Sequence, residues 1–206
     1  MDNQENKVDQ YYTKNPTSKS EEREIEYKIA EKTIKFTVDN GVFSKAHVDI
    51  ATNFMLGILI KEDIFGNVLD LGCGYGTIAI TLKKFFKDID ITLIDINERA
   101  LGLARRNLKL NGINNAKVIS SDGFSEIKEN DMFDVIVTNP PIRAGKQVIY
   151  KMYEDSYKHL KEGGRLYLVI NKKHGAPSTK EYLENLFGNC EVLDKKNGFN
   201  VIKCIK

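Results

Sequence analysis

Apolar residues follow two rhythms along this chain. Between Glu24 and Val38 they alternate, as Ile25, Tyr27 and Ile29 and then Ile34, Phe36 and Val38. That period of two predicts two short strands or a hairpin turning near Glu31-Lys32, with Asn40-Gly41 as a turn beyond it. From about Asp49 to Leu59 the spacing becomes helical, through Ile50, Phe54 and Ile58. After Gly66-Asn67, short apolar runs suited to buried strands take turns with helical patterns. The runs cover residues 68–71, 90–94, 116–119, 133–138 and 165–170. Helices are predicted from Thr77 onward, over about 98–110 and 146–160, and from a cap at Ser178 to about Phe187. Asn111-Gly112 and Gly163-Gly164 mark the ends of two of them. Residues 190–193 and 200–205 flank Asn197-Gly198, the strongest hairpin-turn dipeptide in the chain.

Strand–helix alternation from Val68 to the end predicts an α/β fold, with a doubly wound, mainly parallel sheet of seven strands. The short final turn makes the last strand antiparallel. A polar tail is expected over 1–23. One domain is expected over 24–206, in which a hairpin and helix (24–66) lead into the α/β core (67–206).

Composition narrows the class. The chain has 206 residues, 41% hydrophobic and 29% charged, enough for a sizeable core in one domain. A net charge of +2 does not by itself indicate a nucleic-acid partner, so any basic surface must be local. Cys73, Cys190 and Cys204 are odd in number and lack metal-ligand spacing, which fits a reduced, cytoplasmic setting. No signal peptide is expected from the polar start. The most apolar helical stretch, Phe54 to Ile60, is far shorter than the roughly 20 residues of a membrane span. No metal cluster is visible.

The chemistry concentrates at predicted strand ends. The run Val68-Leu-Asp-Leu leads directly into Gly72-Cys-Gly74-Tyr-Gly76 and then a helix. Glycines there allow a tight turn and let a ligand approach the backbone. The third glycine comes one residue too early for a dinucleotide fingerprint, and the loop has no phosphate-binding lysine. Asp95 ends the next strand, about 20 residues further on, where a carboxylate can accept ribose hydroxyls. Asp122 closes the following strand and could accept an amino group. Asp70 lies inside an apolar strand, where its carboxylate needs a partner, either a ligand ammonium or nearby backbone amides. Together these sites suit a nucleoside bearing an amino acid, namely S-adenosylmethionine. The strand at 133–138 ends in Asn139-Pro140-Pro141. Two prolines cannot extend a sheet ladder, so one polar side chain is left at the tip of a buried strand.

Val68-Leu-Asp-Leu-Gly-Cys-Gly-Tyr-Gly76 resembles the first motif of the class I methyltransferases. Asn139-Pro-Pro-Ile142 resembles their fourth motif, in the form found in enzymes that methylate planar or amide nitrogens. Gly41-Val-Phe-Ser44, Asn139-Pro-Pro-Ile-Arg-Ala-Gly-Lys146 and Lys172-Lys-His-Gly-Ala-Pro-Ser178 together look like the small-subunit (16S) ribosomal RNA guanine-N2 methyltransferases, in particular their short single-domain relatives. The resemblance implies a Rossmann-like core and S-adenosylmethionine as methyl donor. It implies a cofactor set of Asp70, Gly72, Gly74, Gly76, Asp95, Ile96, Asp122 and Gly123, with Phe43, Ser44 and Asn139. It implies catalysis at Asn139, Pro140, Pro141 and Ile142. It also implies contact with ribosomal RNA, or the ribosomal subunit, through Arg143, Lys146, Lys172, Lys173 and His174. Two features depart from the pattern. The longer bacterial members have an extra N-terminal domain, and many amino-methylating relatives have Tyr or Phe where Ile142 stands. A protein glutamine N5-methyltransferase and a non-catalytic cofactor- or RNA-binding module are the alternatives. His47, His159 and Cys73 are not expected to be catalytic.

Overall fold

The computed structural model describes residues 20–40 and 47–206. Most of the expected tail, and both Phe43 and Ser44, lie outside those residues. An N-terminal hairpin, β1 (Arg23–Ile29) and β2 (Lys32–Val38), forms its own two-stranded sheet. After α1 (Ile50–Leu59) come β3 (Asn67–Leu71), α2 (Thr77–Phe85), β4 (Asp90–Asp95), α3 (Glu98–Leu110) and β5 (Lys117–Ser120). The second half runs β6 (Phe133–Thr138), α4 (Lys146–His159), β7 (Leu160–Asn171), α5 (Ala176–Phe187), β8 (Glu191–Lys196) and β9 (Phe199–Ile205). The main sheet has seven strands in the order β5-β4-β3-β6-β7-β9-β8. Strands β5 through β7 pair in parallel, and β9 inserts antiparallel between β7 and β8. The expected Rossmann-like, doubly wound architecture is what forms.

The strands are continuous apolar runs because both faces of the sheet are covered. Alternate residues divide between two cores. Val68, Val135, Val137, Tyr167 and Val169 face the side that holds the hairpin, α1, α2 and α3. Leu69, Leu71, Ile136, Leu166 and Leu168 face α4 and α5. By the same alternation Asp70 points to the α2 side, which matters below. The chain runs β3 to β4 to β5 toward one edge and then returns to lay β6 beside β3. The order reverses there, and the crevice beyond the strand ends at that point is where such sheets take ligands.

Three local details differ from the sequence expectation. The first hairpin turns at Ala30-Glu31, with Ala30 at φ +47°, one residue earlier than expected. Gly163 and Gly164 lie within β7, which starts at Leu160 directly after α4 and pairs irregularly with β6 there. Helix α5 starts at Ala176, so Ser178 is inside its first turn and its hydroxyl donates to Gly175 O (3.0 Å) instead of capping. The final turn is as expected: Asn197 (φ +51°) and Gly198 (φ +82°) both adopt the left-handed conformation of a tight hairpin.

The hairpin is tied to the core by one buried side chain on α3. Asn107 Oδ1 accepts from Thr37 N (2.7 Å), while its Nδ2 donates to Thr37 O (3.0 Å) and to Tyr75 O (3.0 Å). The amide thus pairs with the edge of β2 as a neighbouring strand would, and holds the loop after β3 with the same group. Asn107→Ala removes the partner of the buried Tyr75 carbonyl and of the half-buried Thr37 N–H and carbonyl. It is expected to lower stability by about 1–3 kcal/mol. Urea unfolding checks this, and an unchanged midpoint would contradict it.

Candidate active site

A cavity of about 1000 Å³ opens at the C-terminal ends of β3, β4 and β6. Its floor starts with the glycine loop. Gly72 N and Cys73 N both donate to Ile94 O (3.0 and 2.9 Å), hooking the loop onto the end of β4. Gly74 has φ +55°, and a Cβ there would meet nothing within 4 Å, so the loop presents bare backbone to open space. Gly76 is needed for another reason. It caps α2 at φ +92°, and a Cβ would stand 3.0 Å from Ile80 and 3.3 Å from Leu93.

Asp95 stands at the tip of β4 and lines the cavity. Its Oδ2 accepts from Gly74 N (2.8 Å) and its Oδ1 from Asn97 N (2.9 Å). Burial pushes its carboxyl up from the usual range, while the amides of Asn97, Gly74 and Ile96 favour the charged form. Each oxygen keeps lone-pair capacity for a further donor such as a ribose hydroxyl. Ile96, Asp122 and Gly123 line the same cavity, with Asp122 exposed beyond β5. The carboxylate acceptors, the bare glycine loop and the volume therefore fit a nucleoside ligand.

Asp70 is placed differently. It is 1% exposed and does not line the cavity. Its Oδ2 accepts from Ala79 N (2.9 Å), in the first turn of α2. That helix starts at a glycine and has no side-chain cap of its own, so Asp70 supplies the missing acceptor from the strand below. Of the two partners the sequence left open for Asp70, the structure provides the backbone amide. Its Oδ1 is buried without a partner. Burial pushes this carboxyl up to about 7, against the Ala79 amide and assisted by Asp95.

The opposite wall is the tip of β6. Thr138 is fully buried, and its hydroxyl donates to Leu71 O (2.8 Å), which locks the ends of β6 and β3 together. Asn139 follows and lines the cavity with Pro140 and Pro141. Its Nδ2 donates to Asp49 Oδ2 (3.1 Å) and to Thr52 Oγ1 (2.9 Å). Both partners belong to the start of α1, which Asp49 caps by accepting from Thr52 N (3.0 Å). With the NH₂ end occupied, the carbonyl end of Asn139 is left for the cavity. Ile142 is half-buried against the α4 and α5 core and is not in the cavity wall.

Helix α4 forms a wall that sequence reading missed. Gln147, Lys151, Asp155 and His159 recur every four residues and all line the cavity. Lys151 pairs with Asp155, and His159 stacks on Phe124, centroids 4.9 Å apart at 13°. The i, i+4 spacing was present in the sequence, but such a polar stripe is also what a solvated helix face shows. Arg143 lies on the cavity wall and is exposed. Lys146 Nζ sits 4.9 Å above the ring of Tyr150. Lys172, Lys173 and His174 form an exposed 3₁₀ turn beyond the end of β7, outside the cavity on the same edge of the sheet. Cys73 is buried, and its thiol is pushed far up by burial and by Asp95 and Asp70, so it is no nucleophile. Among the described residues, no group of three or more His, Cys, Asp or Glu could hold a metal, and no helix is long and apolar enough to cross a membrane.

A family model described as methyltransferase small domain matches residues 33–203. YbxB of Bacillus subtilis, an uncharacterized protein, is 44% identical over 196 residues, which are 95% of this chain and 98% of that one. Ribosomal RNA small subunit methyltransferase C of Actinobacillus pleuropneumoniae is 39% identical over 166 residues, covering 78% of this chain and 49% of that protein. Among solved structures, the 16S rRNA N2 methyltransferase (RsmC) of T. thermophilus, in complex with AdoMet and guanosine, matches with a TM-score of 0.80 at 27% identity. That match covers 90% of this chain and 50% of the other. The chain thus spans about half the length of the named ribosomal RNA methyltransferases and nearly all of YbxB.

Asp70 yields a pH prediction. The folded carboxyl keeps its proton between 3.8 and about 7, where the unfolded one has lost it. The folded state therefore binds more protons in that window, and stability falls as pH rises through it. Asp70→Asn removes this dependence. The melting temperature of the variant minus that of the parent is expected to grow from pH 4 to pH 7.5. A constant difference would contradict the assignment.

Proposed function

The chain belongs to the methyltransferase small domain family, and we propose that it is an S-adenosylmethionine-dependent N-methyltransferase acting on the exocyclic N2 amine of guanine in small-subunit ribosomal RNA. The observation that carries this reading is the orientation of Asn139. Its NH₂ is held by Asp49 and Thr52, and its oxygen is left for a cavity that also contains Asp95 and the glycine loop.

The chemistry requires such an acceptor. The lone pair of an exocyclic amine is delocalised into the ring, so the amine is a poor nucleophile. Asn139 Oδ1 and the Pro140 carbonyl would accept its two hydrogens, favour a pyramidal nitrogen and direct the lone pair into the cavity. As charge develops on nitrogen those acceptors bind it more strongly, and the prolines prevent the strand tip from moving away. When bound, S-adenosylmethionine supplies the electrophilic methyl group. On the protein side Asp95 would hold the ribose, Asp122 and Gly123 would meet the adenine edge, and the Gly72–Gly76 backbone would underlie the rest. Asp70 acts beneath the loop through α2.

RNA is the favoured acceptor because Arg143, Lys146, Lys172, Lys173 and His174 are exposed around the same sheet edge. Basic groups there can meet phosphates flanking an everted base. The named relatives support ribosomal RNA, and the guanosine complex of the similar structure supports guanine. A ribosomal substrate puts the work in the cytoplasm. A glutamine amide would suit the same two acceptors, but the relatives above whose names state a substrate act on ribosomal RNA.

Asn139→Ala is expected to lower kcat on unmodified small-subunit ribosomal RNA by about 100-fold or more. The cofactor Kd measured by calorimetry should stay within several-fold. A variant with the parent rate would reject the role given to Asn139.

A further inference from the structure

Asn139 can serve as an acceptor only one way round. The two ends of a side-chain amide are nearly equal in size, so packing does not choose between them, and hydrogen-bond partners must. Here the choice is made by groups 90 and 87 residues away in sequence, on the first turn of α1. A carboxylate such as Asp49 can only accept. Turning Asn139 over would set its oxygen against Asp49 Oδ2, across the 3.1 Å now spanned by a hydrogen bond. The Thr52 hydroxyl, 6% exposed, accepts the second Nδ2 hydrogen at 2.9 Å; a hydroxyl can also donate, so Asp49 sets the direction and Thr52 holds the amide in that place. Asp49 Oδ2 also takes Thr52 N, so the bond that starts the helix places both acceptors at once.

We infer that Asp49 and Thr52 are positioning residues of the transfer reaction. They fix the Asn139 amide with Oδ1 toward the amine, which makes the N-terminal turn of α1 a working part of the site as well as a packing element. This rests on the acceptor role proposed for Asn139. Neither residue needs to touch the methyl donor. Their loss lets the amide sample the inverted state, which presents a donor to an amine that itself needs acceptors.

The test measures kcat and KM on unmodified small-subunit ribosomal RNA, together with the Kd of S-adenosylmethionine. Thr52→Val keeps the shape and removes the acceptor, whereas Thr52→Ser keeps it. Thr52→Val should lower kcat about tenfold, with both KM and Kd within twofold, and Thr52→Ser should restore the rate. Asp49→Ser, which retains the helix cap but replaces the acceptor-only carboxylate with a hydroxyl that can also donate, should lower kcat in the same direction. In an Asn139→Ala background, Thr52→Val should leave the residual rate unchanged, because nothing remains to be oriented. A parent-like kcat for Thr52→Val, or an equal loss in both backgrounds, would overturn the inference while leaving Asn139 its role. If Asn139→Ala alone keeps the parent rate, it is the acceptor role that fails, and the positioning role falls with it.

Discussion

Strands β3 and β6 lie side by side in parallel register and end at the same level, and the rest of the site depends on that. Leu71 is paired with Thr138, and the Thr138 hydroxyl closes the pair by donating to Leu71 O. Beyond that point neither chain continues the ladder. One turns into glycines, whose positive φ values take it sharply toward α2. The other meets Pro140 and Pro141, which have no N–H to offer a neighbouring strand. Gly72 and Asn139 therefore emerge next to each other. A ligand held over the glycine loop and a group held by Asn139 are brought together by sheet geometry, and no lid is required to explain their proximity.

Carboxylates do much of the remaining structural work, and their surroundings set their charge. Asp39 is buried, yet its carboxyl is held below the usual range. Burial opposes the charge, but the amides of Glu21 and Asn40, the Ser20 side chain and Arg99 outweigh it. Asp70 is as buried with one amide partner, and its carboxyl rises to about 7. Asp95, with amides on both oxygens, lies at the cavity edge where its remaining lone pairs can be used. Asp49 works as a cap and as an orienting charge. One residue type thus anchors the hairpin, caps α2, lines the cavity and holds the Asn139 amide, according to how many donors surround it.

What was legible in the sequence was local. Glycines, prolines and the Asn-Gly turn constrain φ within a few residues, so the loop after β3, the end of β6 and the last hairpin could be read directly. Apolar runs alternating with helical patterns pointed to seven strands in a mainly parallel sheet with an antiparallel last strand. Long-range pairing was not legible. The bonds from Asn139 to Asp49 and Thr52 join segments 90 and 87 residues apart, and no pattern near Asp49 distinguishes it from an ordinary helix cap. The polar stripe on α4 has the spacing of a solvated face, and only the fold turns it toward the cavity. Ile142 read as part of the site because it follows the prolines, but the 3₁₀ turn there directs it toward the core. Asp70 shows the limit most clearly: its need for a partner was evident, but the choice between a ligand and α2 depends on which face of β3 it occupies.

The most direct test of the account is where the methyl group goes. Purified protein, labelled S-adenosylmethionine, and total RNA and total protein from a strain lacking this gene would be incubated together, and the small-subunit RNA would be digested to nucleosides. The expected result is label in that RNA as N2-methylguanosine, appearing about 100-fold more slowly when Asn139 is replaced by Ala. Label recovered in protein, or in RNA at a ring carbon or a ribose hydroxyl, would contradict it.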